Sequence, residues 1–445
     1  MKIRSFFIGL VPFIALTLCT PVHPAEQTDS ISHLTGLETT MLSGKEINEI
    51  LHDLSGYEFD LEKNITSDEN IKSFVKSLDP PPEEAKTALL SVEGEPEVIA
   101  WFENGTIYRY TEAETIKTTD MAEMFKDCSG LTEIDFTGID TSEVTTMKWM
   151  FSGCKGLVEL DLTILNTSNV TDMSCMFIAC DNLQKVDLSS FDTSNVTDMS
   201  FMFDSCKSLT ELDLTGFSTG KVTNMGSMFD ECGSLESLDL TSFDTSSVTN
   251  MGCMFYMCGK LKSLDLSSFD TSNVTSMDTI FRSCGALTEL DLSGFDTSKV
   301  MFMTSMFESC TNLKKLDLSN FDTSNVTDMS WMFCDCDNLE NVDVSSFDTT
   351  NVLEMGNMFT YCSSLKELDL KSFDTSNVLN MEAMFYECAN LEELDLSNFD
   401  TKNVTNDYAM FYNCKKLESV KTDDELIQAK IYDIMVLGYD GMTVG

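Results

Sequence analysis

Histidine is scarce in this 445-residue chain, limited to His23, His33 and His52. Everything after His52 therefore lacks a Ser-His-Asp set and the clustered Cys and His of a zinc site. Arginine is nearly absent too, confined to Arg4, Arg109 and Arg282, and 74 acidic against 28 basic residues give a net charge of −46. Such a surface repels nucleic-acid phosphates and anionic lipid, and keeps a long exported protein soluble. Long apolar runs are missing as well. Residues 6–18, behind Lys2 and Arg4, are too few to span a bilayer and read as a secretory signal. Cleavage is expected near Ala25, after HPA, in preference to lipidation at Cys19, where LTLC puts Leu at the small-residue position. With no glycine-rich phosphate loop either, the chain reads as non-enzymatic.

What the chain has is a repeat, typified by residues 191–216, FDTSNVTDMSFMFDSCKSLTELDLTG. Its period is carried by Phe125, Phe151, Phe177, Phe203, Phe229, Phe255, Phe281, Phe307, Phe333, Phe359, Phe385 and Phe411, each 26 residues after the last. A cysteine follows three places after every one, from Cys128 to Cys414, which makes twelve coils without an insertion. Self-similarity at this period with an LxxLxL core is the signature of an α/β repeat solenoid of leucine-rich-repeat type. In LTELDLTG, strand alternation points Leu212 and Leu214 inward and Glu211 and Asp213 outward, so stacked rungs form a parallel sheet. FDTSNV is turn chemistry, because Asp, Ser, Thr and Asn side chains satisfy nearby backbone groups. VTDM reads as a second short strand and MSFMFDSC as a helical turn closing the far side. At ~4.8 Å per coil the stack extends ~55–60 Å.

Residues 26–95 fall outside the repeat and predict a small helical cap or spacer. A first helix starts at Ser43, with Glu46 completing a capping box and Ile47, Ile50, Leu51 and Leu54 on one face. Thr66 and Glu69 precede Ile71, Phe74, Val75 and Leu78 as a second helix; Pro80, Pro81 and Pro82 end it, and residues 83–90 form a third. The solenoid is assigned to residues 96–420. It opens with a hairpin over 98–112 that turns on Asn104-Gly105 and starts the sheet, covering the first coil's open edge. Residues 421–445 form a C-terminal cap, with a helix from Asp424 to Tyr432.

Several residue columns are candidates for function. The periodic cysteines project in parallel and do not face one another, so they read as buried small hydrophobes; Cys175, Cys253 and Cys334 stand outside the ladder and are expected to be exposed thiols. The aspartates of LDL form an outward row that includes Asp213, Asp239, Asp265, Asp291, Asp317, Asp343, Asp369 and Asp395. Like charges ~4.8 Å apart repel by ~1 kcal/mol even in water. Hydrogen bonds from Ser, Thr and Lys with raised pKa values would offset this; calcium or a cationic ligand is the alternative. A second row, from Asp140 and Asp192 to Asp400, opens the DTSN turn and reads as capping, since Asn166 and Ser218 replace it in two coils. The NVT triplets at Asn169, Asn195, Asn273, Asn325 and Asn403 are by-products of the repeat. Recognition falls to positions that vary between coils. The aromatic ones, candidate ligand contacts, are Trp149, Phe201, Tyr256, Trp331, Tyr361, Tyr386 and Tyr412.

The pattern MFxxCxxLxxLDLSxFDTSNVTxM resembles the 26-residue leucine-rich repeat of bacterial surface proteins, related to BspA-like proteins and to the repeats of mycoplasma-type surface lipoproteins. The likeness covers about residues 98–420 and includes AWFENGTIYRYTEAE. It implies a secreted or cell-surface protein that binds host matrix, glycan or other cells. The other function class is a non-catalytic structural spacer, stabilised by calcium if the aspartate row binds it. No other cofactor is indicated.

Overall fold

A single Thr or Asn side chain can reach from one coil to the next, and the repeat places such a side chain at every turn. The computed structural model describes residues 37–56, 68–436 and 443–444; the expected signal segment, with Cys19 and His23, lies outside them, as does His33. Along the VTxM segment, parallel bridges join Thr146 to Asp172, Asp172 to Asp198, and so on to Asn380 and Asn406. Threonine hydroxyls reinforce this ladder: Thr171 Oγ1 donates to Thr145 O at 3.2 Å and Thr197 Oγ1 to Thr171 O at 3.1 Å. The rings from Phe125 to Phe411 form one stack, with neighbouring centroids 5.3–5.9 Å apart and planes within 12° of parallel. Met, Val, Leu and Cys columns around that stack are buried, so each coil buries its apolar face against its neighbours, as in a solenoid.

The LDL segments do not form the continuous sheet expected of them. Parallel pairs join Glu159–Asp161 to Lys185–Asp187, Lys315–Asp317 to Asn341–Asp343, and Glu393–Asp395 to Ser419–Lys421. An aspartate turn closes each of these segments, in paired and unpaired rungs alike. Asp213 Oδ1 accepts from Thr215 N at 3.0 Å, and Phe217 N donates to Leu214 O at 2.9 Å, so the chain turns as soon as the strand has begun.

MSFMFDSC and its equivalents are not a helical turn, which corrects the expectation above. Every coil carries two non-glycine or glycine residues with positive φ in this stretch, for example Trp149 (56°) and Gly153 (72°), or Phe201 (57°) and Ser205 (58°). Alternate N–H groups then point to the next coil: Trp149 N reaches Ser174 O at 3.0 Å, Phe151 N Met176 O at 2.9 Å and Gly153 N Ile178 O at 2.8 Å. The intervening ones close local turns, with Met150 N on Met147 O at 3.2 Å and Cys154 N on Phe151 O at 3.1 Å. A helix would keep all of these donors to itself. Left-handed residues cost roughly 1–2 kcal/mol each, which the bonds between coils offset.

The N-terminal cap is mixed, not mainly helical. β1 (Glu38–Thr40) pairs in parallel with β6 (Thr115–Lys117), which pairs with β8 (Ile139–Asp140). Helix α1 (Gly44–Ser55) follows Ser43, whose capping box with Glu46 is formed as expected, and buries Ile47, Leu51 and Leu54. Where the second helix was expected, β2 (Ser73–Lys76) is a strand; where the third was expected, β3 (Thr87–Leu89) is another. The hairpin β4 (Ile99–Glu103) and β5 (Thr106–Tyr110) turns on Asn104 (φ 53°) and Gly105 (φ 90°). The sheet order is β3-β4-β5-β2-β7, with β7 at Glu133–Ile134, so β2 and not the hairpin meets the first coil. Phe74 is drawn into β2 by packing edge-on against Phe125, ring centroids 5.3 Å apart. α1 also serves the turn ladder: Asn48 Nδ2 donates to Lys126 O at 2.9 Å and Gly44 N to Asp120 O at 3.0 Å, in the places a preceding coil's N–H groups would fill. At the other end, α2 (Glu425–Val436) starts behind Asp424, whose carboxylate accepts from Leu426 N and from Thr401, and buries Ile427 and Ile431.

Candidate functional site

The turn ladder sets the positions of the variable aromatics. Trp149, Phe201 and Trp331 share one column, the first left-handed position of the coil, and Tyr361 occupies the second. Tyr256, Tyr386 and Tyr412 follow the buried Phe and share a third column. Three of the seven come together: Tyr361 and Tyr386 meet edge-on at 5.5 Å, and Tyr386 stacks on Tyr412 at 5.0 Å. Tyr361 and Tyr412 remain 41% and 49% exposed, so two faces of the cluster are open to solvent. Trp149 is committed elsewhere, with Lys126 Nζ 4.3 Å and Lys148 Nζ 5.2 Å from its ring. The Arg282 guanidinium lies 5.4 Å from the Tyr256 ring and pairs with Glu308 at 2.8 Å. Phe201 and Trp331 are exposed but five coils apart, ~24 Å along the stack.

The LDL aspartates satisfy themselves. Each accepts a backbone N–H two residues on, Asp239 from Thr241 at 3.0 Å, Asp265 from Ser267 at 3.0 Å, Asp291 from Ser293 at 3.0 Å, Asp317 from Ser319 at 3.0 Å and Asp343 from Ser345 at 3.0 Å. Asp369 takes Lys371 N at 3.1 Å and pairs with that lysine's Nζ at 3.4 Å. These bonds overturn the expected rise in pKa. The side-chain and backbone donors of Thr215 hold Asp213 below the usual carboxylate range, and Asp239, Asp265, Asp291 and Asp317 are lowered in the same way. Ser397 and Lys421 bring Asp395 down to about 2. Among the described residues no three His, Cys, Asp or Glu side chains converge as a metal site would require. The second aspartate row caps its turns, as Asp192 does for Ser194 N at 3.0 Å. Acids on the turn ladder behave oppositely. Burial, then the charges of Asp204 and Glu231, push Asp230 up to about 7, and burial raises Asp204.

The periodic cysteines are buried, and their thiols do more than fill space. Cys154 Sγ donates to Phe125 O at 3.0 Å and Cys310 Sγ to Phe281 O at 3.0 Å, a bond repeated along the column. Burial pushes the Cys180, Cys258, Cys310 and Cys414 thiols up to about 12. Cys175 and Cys334 are buried and Cys253 half-buried, so the expectation of exposed thiols fails; Cys253 Sγ lies 2.8 Å from Thr279 Oγ1 of the next coil. The sequon asparagines are likewise engaged, as Asn325 Nδ2 is with Ser298 O at 2.8 Å. Sequence reasoning missed one set of side chains, Met301, Leu353 and Leu379, which are exposed on the VTxM ladder. The signal was available: each replaces the threonine of the repeat.

A family model described as "Mycoplasma protein of unknown function, DUF285" matches residues 119–238, 232–339 and 303–424. No curated protein matches the chain. Among solved structures, a leucine-rich-repeat protein of Leptospira interrogans is similar at 15% identity and a TM-score of 0.24, over 75% of this chain and 84% of that one. A crystal structure of a TLR13–ssRNA13 complex is similar at 15% identity and a TM-score of 0.22, over 75% of this chain and 61% of that one. At those TM-scores neither likeness carries an argument. The leucine-rich-repeat-like solenoid rests on the register and bonds described above.

Proposed function

The chain belongs to the family described as "Mycoplasma protein of unknown function, DUF285", and from that premise we propose that it is a non-catalytic binding protein displayed outside the cell. The observation that carries the reading is the Tyr361, Tyr386 and Tyr412 cluster, a row of rings in which Tyr386 touches both others, on a scaffold tied from coil to coil. Rigid aromatic side chains offer large contact area at little entropic cost, which suits an extracellular protein or glycan. The export signal expected over residues 1–25 and the repeat's resemblance to BspA-like surface proteins support a place at the cell surface and adhesion as the biological role.

The test is binding of the chain from Glu26 onward to an array of matrix proteins, mucins and glycans, with calcium and with chelator. Saturable binding to one class is expected, at least about tenfold weaker when all three tyrosines are changed to Ser. Binding untouched by those changes would move the site elsewhere. No binding in either condition would leave a rigid acidic spacer, and a large calcium-dependent rise in Tm would make the aspartate row its reason.

A further inference from the structure

We infer that the VTxM ladder of the C-terminal coils is a docking stripe for a basic, apolar-containing extended segment of a partner protein, which covers Met301, Leu353 and Leu379. In the other coils this column is threonine, and in all but Thr327 the hydroxyl bonds the preceding coil: Thr223 Oγ1 donates to Thr197 O at 3.2 Å, Thr275 Oγ1 to Thr249 O at 3.1 Å and Thr405 Oγ1 to Leu379 O at 3.1 Å. Met301, Leu353 and Leu379 cannot make that bond. Their backbones hold the same place regardless, with Met301 N on Thr275 O at 3.0 Å, Leu353 N on Thr327 O at 2.9 Å and Leu379 N on Leu353 O at 2.9 Å. They are 41–43% exposed, and Phe302 next to Met301 is 47% exposed. The scaffold thus loses a hydroxyl bond and gains apolar surface in water at each substitution, which makes the stripe a surface for something else.

Charge selects the occupant. The adjoining column carries Asp328 and Glu354 in register with Phe302, and Glu382 lies two residues past Asn380. Neither column has a lysine or arginine from position 301 to 380, and the whole chain carries −46. A second copy would bring carboxylates against carboxylates, and anionic lipid would meet the same repulsion, whereas a cationic segment is attracted and oriented. The stripe is separate from the tyrosine cluster, so the inference shares with the reading above only that the chain binds a macromolecule.

The probe is a short peptide of alternating lysine and leucine, titrated against the chain from Glu26 onward by fluorescence anisotropy. Met301→Thr, Leu353→Thr and Leu379→Thr together restore the repeat's own residue, so this variant keeps the fold, checked by an unchanged or higher Tm. Saturable binding that weakens with added salt, falls at least about tenfold in the threonine variant and survives the triple tyrosine change is expected. The inference is overturned if the wild-type chain does not bind the peptide, if the threonine variant binds it equally, or if an alternating glutamate–leucine peptide binds as well. A wild-type dimer in sedimentation that the threonine variant abolishes would also overturn it, by assigning the stripe to a second copy. Failure of the tyrosine variant on the array, with peptide binding intact, bears on the aromatic surface alone.

Discussion

Thr297 donates through Oγ1 to Asp322 O at 2.9 Å and accepts from Asp322 N at 2.9 Å, so one hydroxyl satisfies both backbone groups of a residue in the next coil. Its equivalents from Thr141 to Thr401 are all buried. Thr297→Val keeps the shape and strands both groups, and should cost about 1–3 kcal/mol in denaturant unfolding, whereas Thr297→Ser keeps most of the stability. A valine variant as stable as the wild type would remove the hydroxyl from the account. Cysteine makes a matching prediction. With raised pKa values and no access, the periodic thiols, together with Cys175 and Cys334, should stay silent to a thiol-reactive chromogen until the chain from Glu26 onward unfolds, while half-buried Cys253, outside the ladder, can react. Rapid native-state reaction of many thiols would contradict their burial.

At the scale of elements, the cap is held by Arg109. Its side chain is buried, its Nη2 donates to Asp135 O at 3.0 Å and Thr137 O at 2.7 Å, and its guanidinium sits 5.7 Å from the Phe74 ring. Burial brings its pKa down to about 10, so it stays charged at neutral pH. Arg109→Met should cost about 2–3 kcal/mol and speed hydrogen exchange in β2 and β5 before the solenoid is affected; uniform exchange across the chain would show the cap and stack to be one unit. Backbone passes so close here that a Cβ at Gly130 would run into Glu69 O. α1 was readable because Ser43 and Glu46 cap it locally. β2 was not, since Phe74 takes its conformation from Phe125 and from strands distant in sequence. The left-handed positions were illegible for a related reason. Trp, Phe, Cys, Ser, Thr, Asn and Ala all occupy one column, because bonds between coils impose positive φ whatever the side chain. The tyrosines were found by type, but their meeting was hidden, as Tyr361 and Tyr386 belong to different columns. For the aspartate row the turn donors were visible two residues on, while repulsion was given too much weight against them.

For the whole molecule, two sets of carboxylates move stability in opposite directions with pH. Asp230 has its pKa raised from 3.8 to about 7, so between those values the folded state binds the extra proton and stability increases as pH falls. The lowered aspartates of the LDL and DTSN turns bind protons better unfolded, so below about pH 4 stability is lost as pH falls. Thermal unfolding across pH should therefore peak near about pH 4–5, and Asp230→Asn should flatten the neutral side and leave the acid side alone. A plateau from pH 5 to 8 in the wild type would refute the raised value.

Every bond that joins coils runs to a residue one period away, give or take a few places, and among the described residues neither cap bonds past its own end of the stack. Length here consequently behaves as an integer. Excising residues 217–242 joins Gly216 to Phe243 and reproduces the repeat across the seam, giving a shorter ruler with the same two ends. Cutting one residue fewer sets Ser242 where a buried phenylalanine belongs, and the arithmetic fails.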